Sequence, residues 1–270
     1  MNRSRKGEWK HGDTGNTETQ KRMPHIQIPE NLGIAYAVLP GDPARAERAS
    51  KYLENVEFLA FNREYKSYRG TWHGIPVLVM STGMGGPSTA IAVEELKKAG
   101  VKAMIRIGSC GALQPEAKVG DLVLVEATVR DEGTSLGYAP LSYPAVADFE
   151  LLSACKESAK KQGFSWHMGI GRSHDCLYRD ENPQIYEEWA RRGVMASDME
   201  TASLYVVGRV RGVKTASILN VVAGCKSDVA EDIGRYADGE KLTALGEEHE
   251  ILTAFEAFEC LEHAKHEVDK

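Results

Sequence analysis

The sequence predicts an α/β fold, because short apolar segments with the length of buried strands alternate with helical patterns along the chain. Several of these apolar segments end in glycine-rich junctions. In an open α/β sheet, such junctions gather at the carboxyl ends of the strands, where crevices form. The length of 270 residues suits one large domain or two small ones, and neither a repeat nor a linker divides the chain.

Composition and charge argue against several classes of protein. The chain is 42% hydrophobic and 27% charged, which is typical of a protein with a globular core. Its net charge of -6 argues against nucleic acid as the main partner. The sequence has neither an apolar run long enough to span a bilayer nor a secretory leader, so we expect no membrane partner and a cytoplasmic protein. Its five scattered cysteines lack CxxC spacing, which fits a reducing compartment and offers no metal site.

Residues 1–22 are polar and lack hydrophobic periodicity, which predicts a disordered tail and a folded domain over 23–270. A first buried strand is predicted at Ile34–Leu39. It runs into Pro40–Ala46, where a glycine precedes a helix start. Free N–H groups at that helix N-terminus, together with Arg45, would suit a phosphate group. The alternative is a solvated helix arginine at a common type of junction.

Two strands are predicted next, at Glu57–Gly70 and Ile75–Met80. The second strand ends in the glycine-rich segment Ser81–Thr89, which leads into a helix at Ala90–Ala99. The glycines of this segment either let the backbone approach a ligand or serve tight packing. A second junction of this type makes a shared site at the strand ends the better hypothesis.

The segment Ala103–Ala112 predicts a strand buried on both faces, with Arg106 near its end and a turn at Gly108–Gly111. A buried arginine is costly unless an anion or a carboxylate meets it. The segment therefore predicts either the floor of a site for an anionic substrate or an arginine paired with a structural aspartate. Cys110 is either a nucleophile or a packing residue, and the lack of a histidine nearby in the sequence favours packing.

The rest of the chain continues the alternation of strands and helices. Strands are predicted at Val119–Val125, His167–Gly171 and Thr215–Val222, and helices at Phe149–Gln162, Asn182–Arg192 and Glu240–His266. A long loop at Arg130–Ala145 is either functional or a surface excursion. The segment Gly193–Ala202 predicts a strand that runs into Asp198 and Glu200 at the start of a helix. Carboxylates there either cap the helix or accept hydrogen bonds from the hydroxyls of a sugar.

Four segments taken together resemble the phosphorylase superfamily that includes uridine phosphorylase and the hexameric purine nucleoside phosphorylases. They are Leu39–Arg45, Ser81–Ser88, Arg106–Gly111 and Asp198–Glu200. The resemblance extends from about Pro24 to the closing helix and is closest to uridine phosphorylase. It implies a three-layer α/β/α fold around a central mixed, partly barrel-like sheet. It also implies a homo-oligomer, a hexamer built of dimers with shared sites.

The resemblance further implies a role for each matching residue. Phosphate would be bound by Gly41, Arg45, Arg63, Arg106 and Ser109, ribose by His25, Met199 and Glu200, and the base by Cys110, Gly111, Leu177 and Asp198. Arg63 and His25 would act across the dimer, in the site of the neighbouring subunit.

The implied reaction is phosphorolysis of a nucleoside, most closely uridine, to the free base and ribose 1-phosphate. Phosphate attacks the anomeric carbon while the glycosidic bond breaks, the sugar becomes cation-like, and negative charge moves onto the base. Arg106 and Glu200 would be the catalytic residues, because arginine positions the phosphate dianion and the glutamate fixes the ribose hydroxyls. The reaction has nucleoside and phosphate as partners and needs neither a metal nor an organic cofactor.

The chain departs from the family where the base is bound. Uridine phosphorylases usually carry a Gln-x-Arg pair after a stacking Phe, but Leu177 stands at the Phe position and 178–183 lack the pair. Val221 occupies the position of the catalytic Asp of the purine enzymes. His174 and Arg179 are alternative base contacts or ordinary loop residues. The identity of the base therefore stays open.

Three other functions stay open beside the main hypothesis. A purine nucleoside phosphorylase would share the phosphate site. A nucleosidase, in which water replaces phosphate, typically lacks the phosphate arginines, whereas Arg45, Arg63 and Arg106 are all present. A protein that binds a nucleoside without turnover would explain the missing base-reading pair. We set aside a Rossmann dehydrogenase, because no GxGxxG motif with an acid about 20 residues further on follows a strand.

Overall fold

The computed structural model of the chain describes residues 21–225, 232 and 241–268. Most of the predicted tail, 1–22, lies outside the described residues. Of this tail, Lys21 and Arg22 are described, and Arg22 forms an isolated bridge with Pro29. Among the described residues, no helix has both the length and the apolar character needed to cross a membrane.

Strands and helices alternate along the described residues. The strands are β1 (Tyr36–Pro40), β2 (Glu54–Asn62), β3 (Tyr65–Trp72), β4 (Ile75–Met80), β5 (Ala103–Ala112), β6 (Leu122–Asp131), β7 (Ala145–Val146), β8 (Trp166–His174), β9 (Ala196–Asp198) and β10 (Lys214–Ala223). The α-helices are α1 (Pro43–Ser50), α2 (Gly86–Lys98), α3 (Phe149–Gln162), α4 (Asn182–Ala190), α5 (Thr201–Val210) and α6 (Lys241–Val268).

These strands form one mixed sheet with the order β10-β6-β8-β9-β5-β1-β4-β3-β2, and the short β7 pairs with β6. A further pairing joins β10 to β5, so that β5, β9, β8, β6 and β10 close into a barrel. Helices α3 and α6 pack together and against β10, while α2 packs against α5. The predicted mixed, partly barrel-like sheet with helices around it is confirmed.

Local sequence explains where these elements lie and where they end. Strand β1 is apolar and buried over its whole length, as a strand covered on both faces must be. Helix α3 begins after Asp148, whose side chain accepts a hydrogen bond from the Leu151 N–H at 3.1 Å. It ends at Gly163, which has a φ of 72° and so adopts the left-handed conformation that glycine tolerates.

The structure corrects the predicted turn at Gly108–Gly111. Strand β5 continues to Ala112, because its glycine-rich end is paired on both sides: Ser109 lies opposite Asn220 of β10, and Gly111 lies opposite Ser197 of β9. Closure of the barrel supplies these neighbours, which the sequence pattern does not reveal. The glycine-rich end of β5 therefore forms part of the barrel wall.

The single strand predicted at Glu57–Gly70 is also wrong, since β2 and β3 form an antiparallel hairpin there. Asn62 pairs with Tyr65, and Arg63 in the turn between them has a φ of 56°. Left-handed residues of this kind allow a two-residue hairpin turn. Arg63 therefore lies at an exposed tip of the fold.

The long loop predicted at Arg130–Ala145 is organised around its own arginine. The buried guanidinium of Arg130 donates to Ser135 Oγ at 2.8 Å and to the carbonyl oxygens of Ala139, Pro140 and Tyr143 at 2.6–2.7 Å. Backbone carbonyls in a loop otherwise need water or a ligand as partners. These contacts give the loop a structural role.

Candidate active site

A cavity of about 1110 Å³ opens where β1 meets α1, at the end of β5 and beside the start of α5. Ten of the twelve site residues that the sequence predicts line it. They are Gly41, Arg45, Arg106, Ser109, Cys110, Gly111, Leu177, Asp198, Met199 and Glu200. The two that do not line it, His25 and Arg63, are the two that the resemblance assigns to the neighbouring subunit. The cavity therefore brings together the residues that one chain was expected to supply by itself.

Arg106 is buried in the cavity wall and is held by two carboxylates. Its Nε lies 3.0 Å from Oδ2 of Asp198, and its Nη2 lies 2.6 Å from Oε2 of Glu200. The guanidinium lies over Gly108, where an added Cβ would stand 2.5 Å from Nη2. The aspartate pairing expected as the alternative is therefore present, and it is present inside the cavity.

Glu200 joins the arginine to the second glycine-rich junction. Its Oε1 accepts a hydrogen bond from the Gly85 N–H at 2.6 Å, while Oε2 faces Arg106. Although it stands at the N-cap position of α5, its side chain makes no capping hydrogen bond. Burial raises the pKa of Glu200, and Arg106 acts in the opposite direction. The capping interpretation is therefore wrong for Glu200, whose carboxylate faces the cavity instead.

Asp198 has a different environment. Oδ1 accepts from Ser173 Oγ at 2.5 Å, and Oδ2 accepts from the Thr201 N–H at 3.0 Å and from Thr201 Oγ1 at 2.6 Å. Oδ2 also faces Arg106. Both carboxylate oxygens thus have protein donors. The side chain ties the start of α5 to the arginine.

The phosphate site expected at the N-terminus of helix α1 is already occupied by a side chain of the protein. The side chain of Asp42 accepts from the N–H groups of Ala44 at 2.9 Å and Arg45 at 3.1 Å, as an N-cap does. These two N–H groups are therefore not free for a phosphate, contrary to the prediction. Gly41 instead lies against the second junction, because its carbonyl accepts from the Gly83 N–H at 2.9 Å.

Arg45 is buried in the cavity wall beside two glutamates of α6. Its Nε lies 3.0 Å from Oε2 of Glu247, and its Nη1 lies 3.1 Å from Oε1 of Glu250. Glu250 also accepts a hydrogen bond from the Gly108 N–H at 2.9 Å. Helix α6 therefore contributes carboxylates to the same region as the two arginines.

Sequence reasoning missed Glu250. Its side chain is fully buried, and burial raises its pKa to about 8 against the opposing effect of Arg45. A signal was present in the closing helix, because Glu250 precedes the buried Ala254 and Phe258 at helical spacing. A carboxylate on an apolar helix face indicates a buried partner.

His25 and Arg63 lie near each other on the surface, outside the cavity. Nδ1 of His25 lies 2.6 Å from Oε1 of Glu95. The carbonyl of His25 accepts from Nδ2 of Asn62 at 2.7 Å, and Asn62 immediately precedes Arg63 in the hairpin turn. The two residues expected to act on a neighbour are thus held together at one exposed edge.

Three residues between the end of β8 and α4 also line the cavity: His174, Leu177 and Tyr186. The resemblance assigns Leu177 to the base. Arg179 instead forms an exposed pair with Glu181 at 3.0 Å, which favours the ordinary loop role for it. Cys110 is buried, and burial raises the pKa of its thiol, which favours the packing interpretation. His174 and Tyr186 are polar residues in this wall, and no sequence pattern singles out Tyr186.

Comparison with known proteins places the chain in a family. A sequence model described as "Phosphorylase superfamily" matches residues 35–254. The chain is 39% identical over 213 residues to a uridine phosphorylase of Escherichia coli, covering 73% of this chain and 84% of that protein. It is 36% identical over 244 residues to a uridine phosphorylase of Thermococcus kodakarensis, covering 86% and 87% of the two chains.

A guanosine phosphorylase of Halorubrum lacusprofundi is 35% identical over 215 residues, covering 78% of this chain and 89% of that protein. A crystal structure of uridine phosphorylase from Vibrio fischeri superposes with a TM-score of 0.82 at 40% identity, covering 88% of this chain and 96% of that one. The matched range contains both glycine-rich junctions as well as Arg106, Asp198 and Glu200. The chain belongs to the phosphorylase superfamily.

Proposed function

We propose that the protein is a nucleoside phosphorylase that cleaves uridine with inorganic phosphate to give uracil and ribose 1-phosphate. The observation that carries this proposal is the placement of Arg106 in the cavity wall, where it contacts Glu200 at 2.6 Å. An arginine for phosphate thereby adjoins a carboxylate for ribose. Family membership and the likeness to uridine phosphorylases support uridine as the substrate.

The proposed reaction follows from the charges around the cavity. Arg45 and Arg106, with Ser109 and Gly41, hold phosphate below the sugar. One oxygen of the hydrogen phosphate dianion forms a bond to C1′ of the ribose while the C1′–N bond breaks, and the electron pair of that bond leaves with the base. The proton of the hydrogen phosphate ends on that base nitrogen, so the products are uracil and the ribose 1-phosphate dianion. Glu200 accepts hydrogen bonds from the ribose hydroxyls, and Met199 packs on the sugar. Buried arginines favour the dianion, and its charge stabilises the cation-like sugar.

Asp198 lies beside the base in this proposal and also positions Arg106, because its Oδ2 accepts a hydrogen bond from Nε of Arg106 at 3.0 Å. Cys110, Gly111 and Leu177 line the base. No metal or organic cofactor takes part in the proposed chemistry.

We also propose that the site is completed by a second copy of the chain, as in a hexamer built of dimers. His25 and Arg63 lie together at an exposed edge and outside the cavity of their own chain, which suits residues that serve a neighbour. The five free cysteines suit a reducing compartment such as the cytoplasm.

A 6-oxopurine nucleoside is the second candidate substrate, favoured by the match to a guanosine phosphorylase. Release of free base from uridine, thymidine, inosine, guanosine and adenosine, each with and without phosphate, tests both candidates. The proposal predicts release from uridine that requires phosphate. Release of equal rate without phosphate would indicate a nucleosidase, and no release from any of them would favour a protein that only binds.

A further inference from the structure

His174 and Tyr186 form a polar part of the cavity wall where the base is proposed to bind. The proposed mechanism assigns no role to either residue. His174 ends strand β8, and Tyr186 lies on α4; both line the cavity. Their rings meet edge to face with centroids 6.0 Å apart. The side chain of His174 is 4% exposed, so its hydrogen-bonding atoms need defined partners.

The surroundings of His174 fix its tautomer. Nδ1 lies 3.1 Å from the carbonyl oxygen of Cys176. A carbonyl oxygen only accepts hydrogen bonds, so Nδ1 must carry the proton. That carbonyl is itself held by Nδ2 of Asn182 at 3.0 Å. In a neutral ring with a proton on Nδ1, Nε2 is a bare acceptor, and it receives no hydrogen bond from a described residue.

Burial and a neighbouring cation disfavour the protonated form of this ring. Burial and the positive charge of Arg172 lower the pKa of His174, while Asp198 and Asp131 act in the opposite direction to a smaller extent. Arg172 is 1% exposed, pairs with Asp131 at 2.5 Å, and lies 5.6 Å from the ring of Tyr186. A buried cation fixed behind the wall opposes protonation of the histidine in front of it.

We propose that Nε2 of His174 accepts a hydrogen bond from a ring N–H of the base, so that His174 selects nucleosides of oxo bases. This inference rests on the proposed function and names the residue that selects its substrate. Uracil and the 6-oxopurines carry a ring N–H flanked by a carbonyl. Cytosine and adenine present a bare ring nitrogen at the corresponding edge, which would place an acceptor against an acceptor.

His174 thereby takes the place of the Gln-x-Arg pair of uridine phosphorylases, which this chain lacks. A single neutral acceptor held by the backbone rejects a base without the N–H, because the bound base displaces water from Nε2 and leaves that atom unpaired. Uracil and a 6-oxopurine both carry an N–H of this kind, but at different distances from the ribose, so the experiment below compares the two.

The test uses nucleosides in which this N–H is replaced by N–CH3, and the His174 variants separate the lost hydrogen bond from the added bulk of the methyl group. The two pairs compared are uridine with 3-methyluridine and inosine with 1-methylinosine. We would measure kcat/KM for each nucleoside at saturating phosphate. Binding would be measured by calorimetry without phosphate, so that no turnover contributes heat. The proteins are the wild type, His174→Leu, His174→Gln and the control His167→Leu. His167 lies on the same strand but pairs with Asp121 at 3.0 Å and does not line the cavity.

We expect the wild type and His167→Leu to prefer the unmethylated nucleoside of the accepted pair by about tenfold or more. His174→Leu loses this preference while its KM for phosphate stays unchanged. His174→Gln recovers part of it, because the amide oxygen also accepts hydrogen bonds. Comparison of the uridine pair with the inosine pair shows which oxo base binds beside His174.

Equal use or binding of methylated and unmethylated nucleosides by the wild type would overturn the inference. So would a preference that survives in His174→Leu. Both results leave phosphate-dependent base release intact and are therefore distinct from failure of the proposed function. If the protein binds nucleosides without turnover, the ratio of the dissociation constants for the methylated and unmethylated nucleosides still tests the inference.

Discussion

The guanidinium of Arg106 lies 2.6 Å from a carboxylate oxygen of Glu200, and both side chains are buried. The residues proposed for phosphate and for ribose thus form one ion pair. In the proposed site, ribose hydroxyls that donate to Glu200 would weaken its ion pair with Arg106 and leave the guanidinium more available to an entering dianion. Binding of nucleoside and of phosphate is therefore expected to be coupled.

Replacement of Arg106 tests the phosphate site. Arg106→Ala removes a charge-assisted contact worth about 2–3 kcal/mol, so the KM for phosphate is expected to rise at least about 30-fold. Arg106→Lys keeps the charge next to Asp198 and Glu200 and serves as the folded control. Steady-state rates at varied phosphate give the answer, and an unchanged KM in both variants would remove Arg106 from the phosphate site.

We expect a substitution at Gly108 to affect phosphate binding by displacing Arg106, and not by disrupting strand β5. A Cβ at this position would stand 2.5 Å from Nη2 of Arg106, so Gly108→Ala must displace the guanidinium from its carboxylates. We expect a higher KM for phosphate with a modest loss of thermal stability. Gly137→Ala is the matched control, because an added Cβ there meets no atom within 4 Å. Equal effects of the two changes would contradict this assignment.

Glu250 makes stability depend on pH. Its pKa rises from an ordinary value of 4.5 to about 8 in the folded chain. Between these values only the folded state holds the proton, so the free energy of unfolding falls as pH rises, by at most about 1.4 kcal/mol per pH unit. Below this window the group is protonated in both states and the penalty vanishes.

Glu250→Gln is expected to flatten that pH dependence, whereas Glu157→Gln on the exposed face of α3 leaves it unchanged. Denaturant unfolding at pH 5, 7 and 9 measures the slopes. A Glu250→Gln profile parallel to that of the wild type would show that Glu250 titrates normally.

Sharing of the site between subunits is testable by mixing inactive chains. Arg63→Ala lacks the residue proposed to act on the neighbour, and Glu200→Ala lacks one that acts in its own chain. Oligomers that contain both variants include some sites in which neither change is present, so activity should reappear on mixing. Mixed oligomers that are verified by mass and remain inactive would mean that each chain completes its own site.

The sequence alone predicts most residues of the candidate site, but it does not predict the strand pairing that closes the barrel around them. Glycine-rich junctions and a buried arginine are local signals, which is why the residues around Arg106 and Glu200 were found. The continuation of β5 past Gly108 depends on β9 and β10, which pair with it from about 85 to 110 residues away in the chain. Pairing between strands so far apart in the chain produces no recognisable pattern in the sequence of β5 itself.

The same limit explains the other differences. Asp42 could have been expected as an N-cap, since it precedes a proline at the helix start, and its capping removes two N–H groups from the predicted phosphate site. Glu250 reaches Arg45 and Gly108 only through packing of α6 against β5. The rings of His174, at the end of β8, and Tyr186, on α4, come into contact only in the folded chain.

The most direct test of the central claim is the identity of the sugar product. Uridine and phosphate are incubated with the protein, and uracil, ribose 1-phosphate and free ribose are quantified, with phosphorus NMR for the sugar phosphate. The account predicts one ribose 1-phosphate for each uracil and no free ribose. Free ribose in place of the phosphate ester, or uridine left unconsumed, would contradict it.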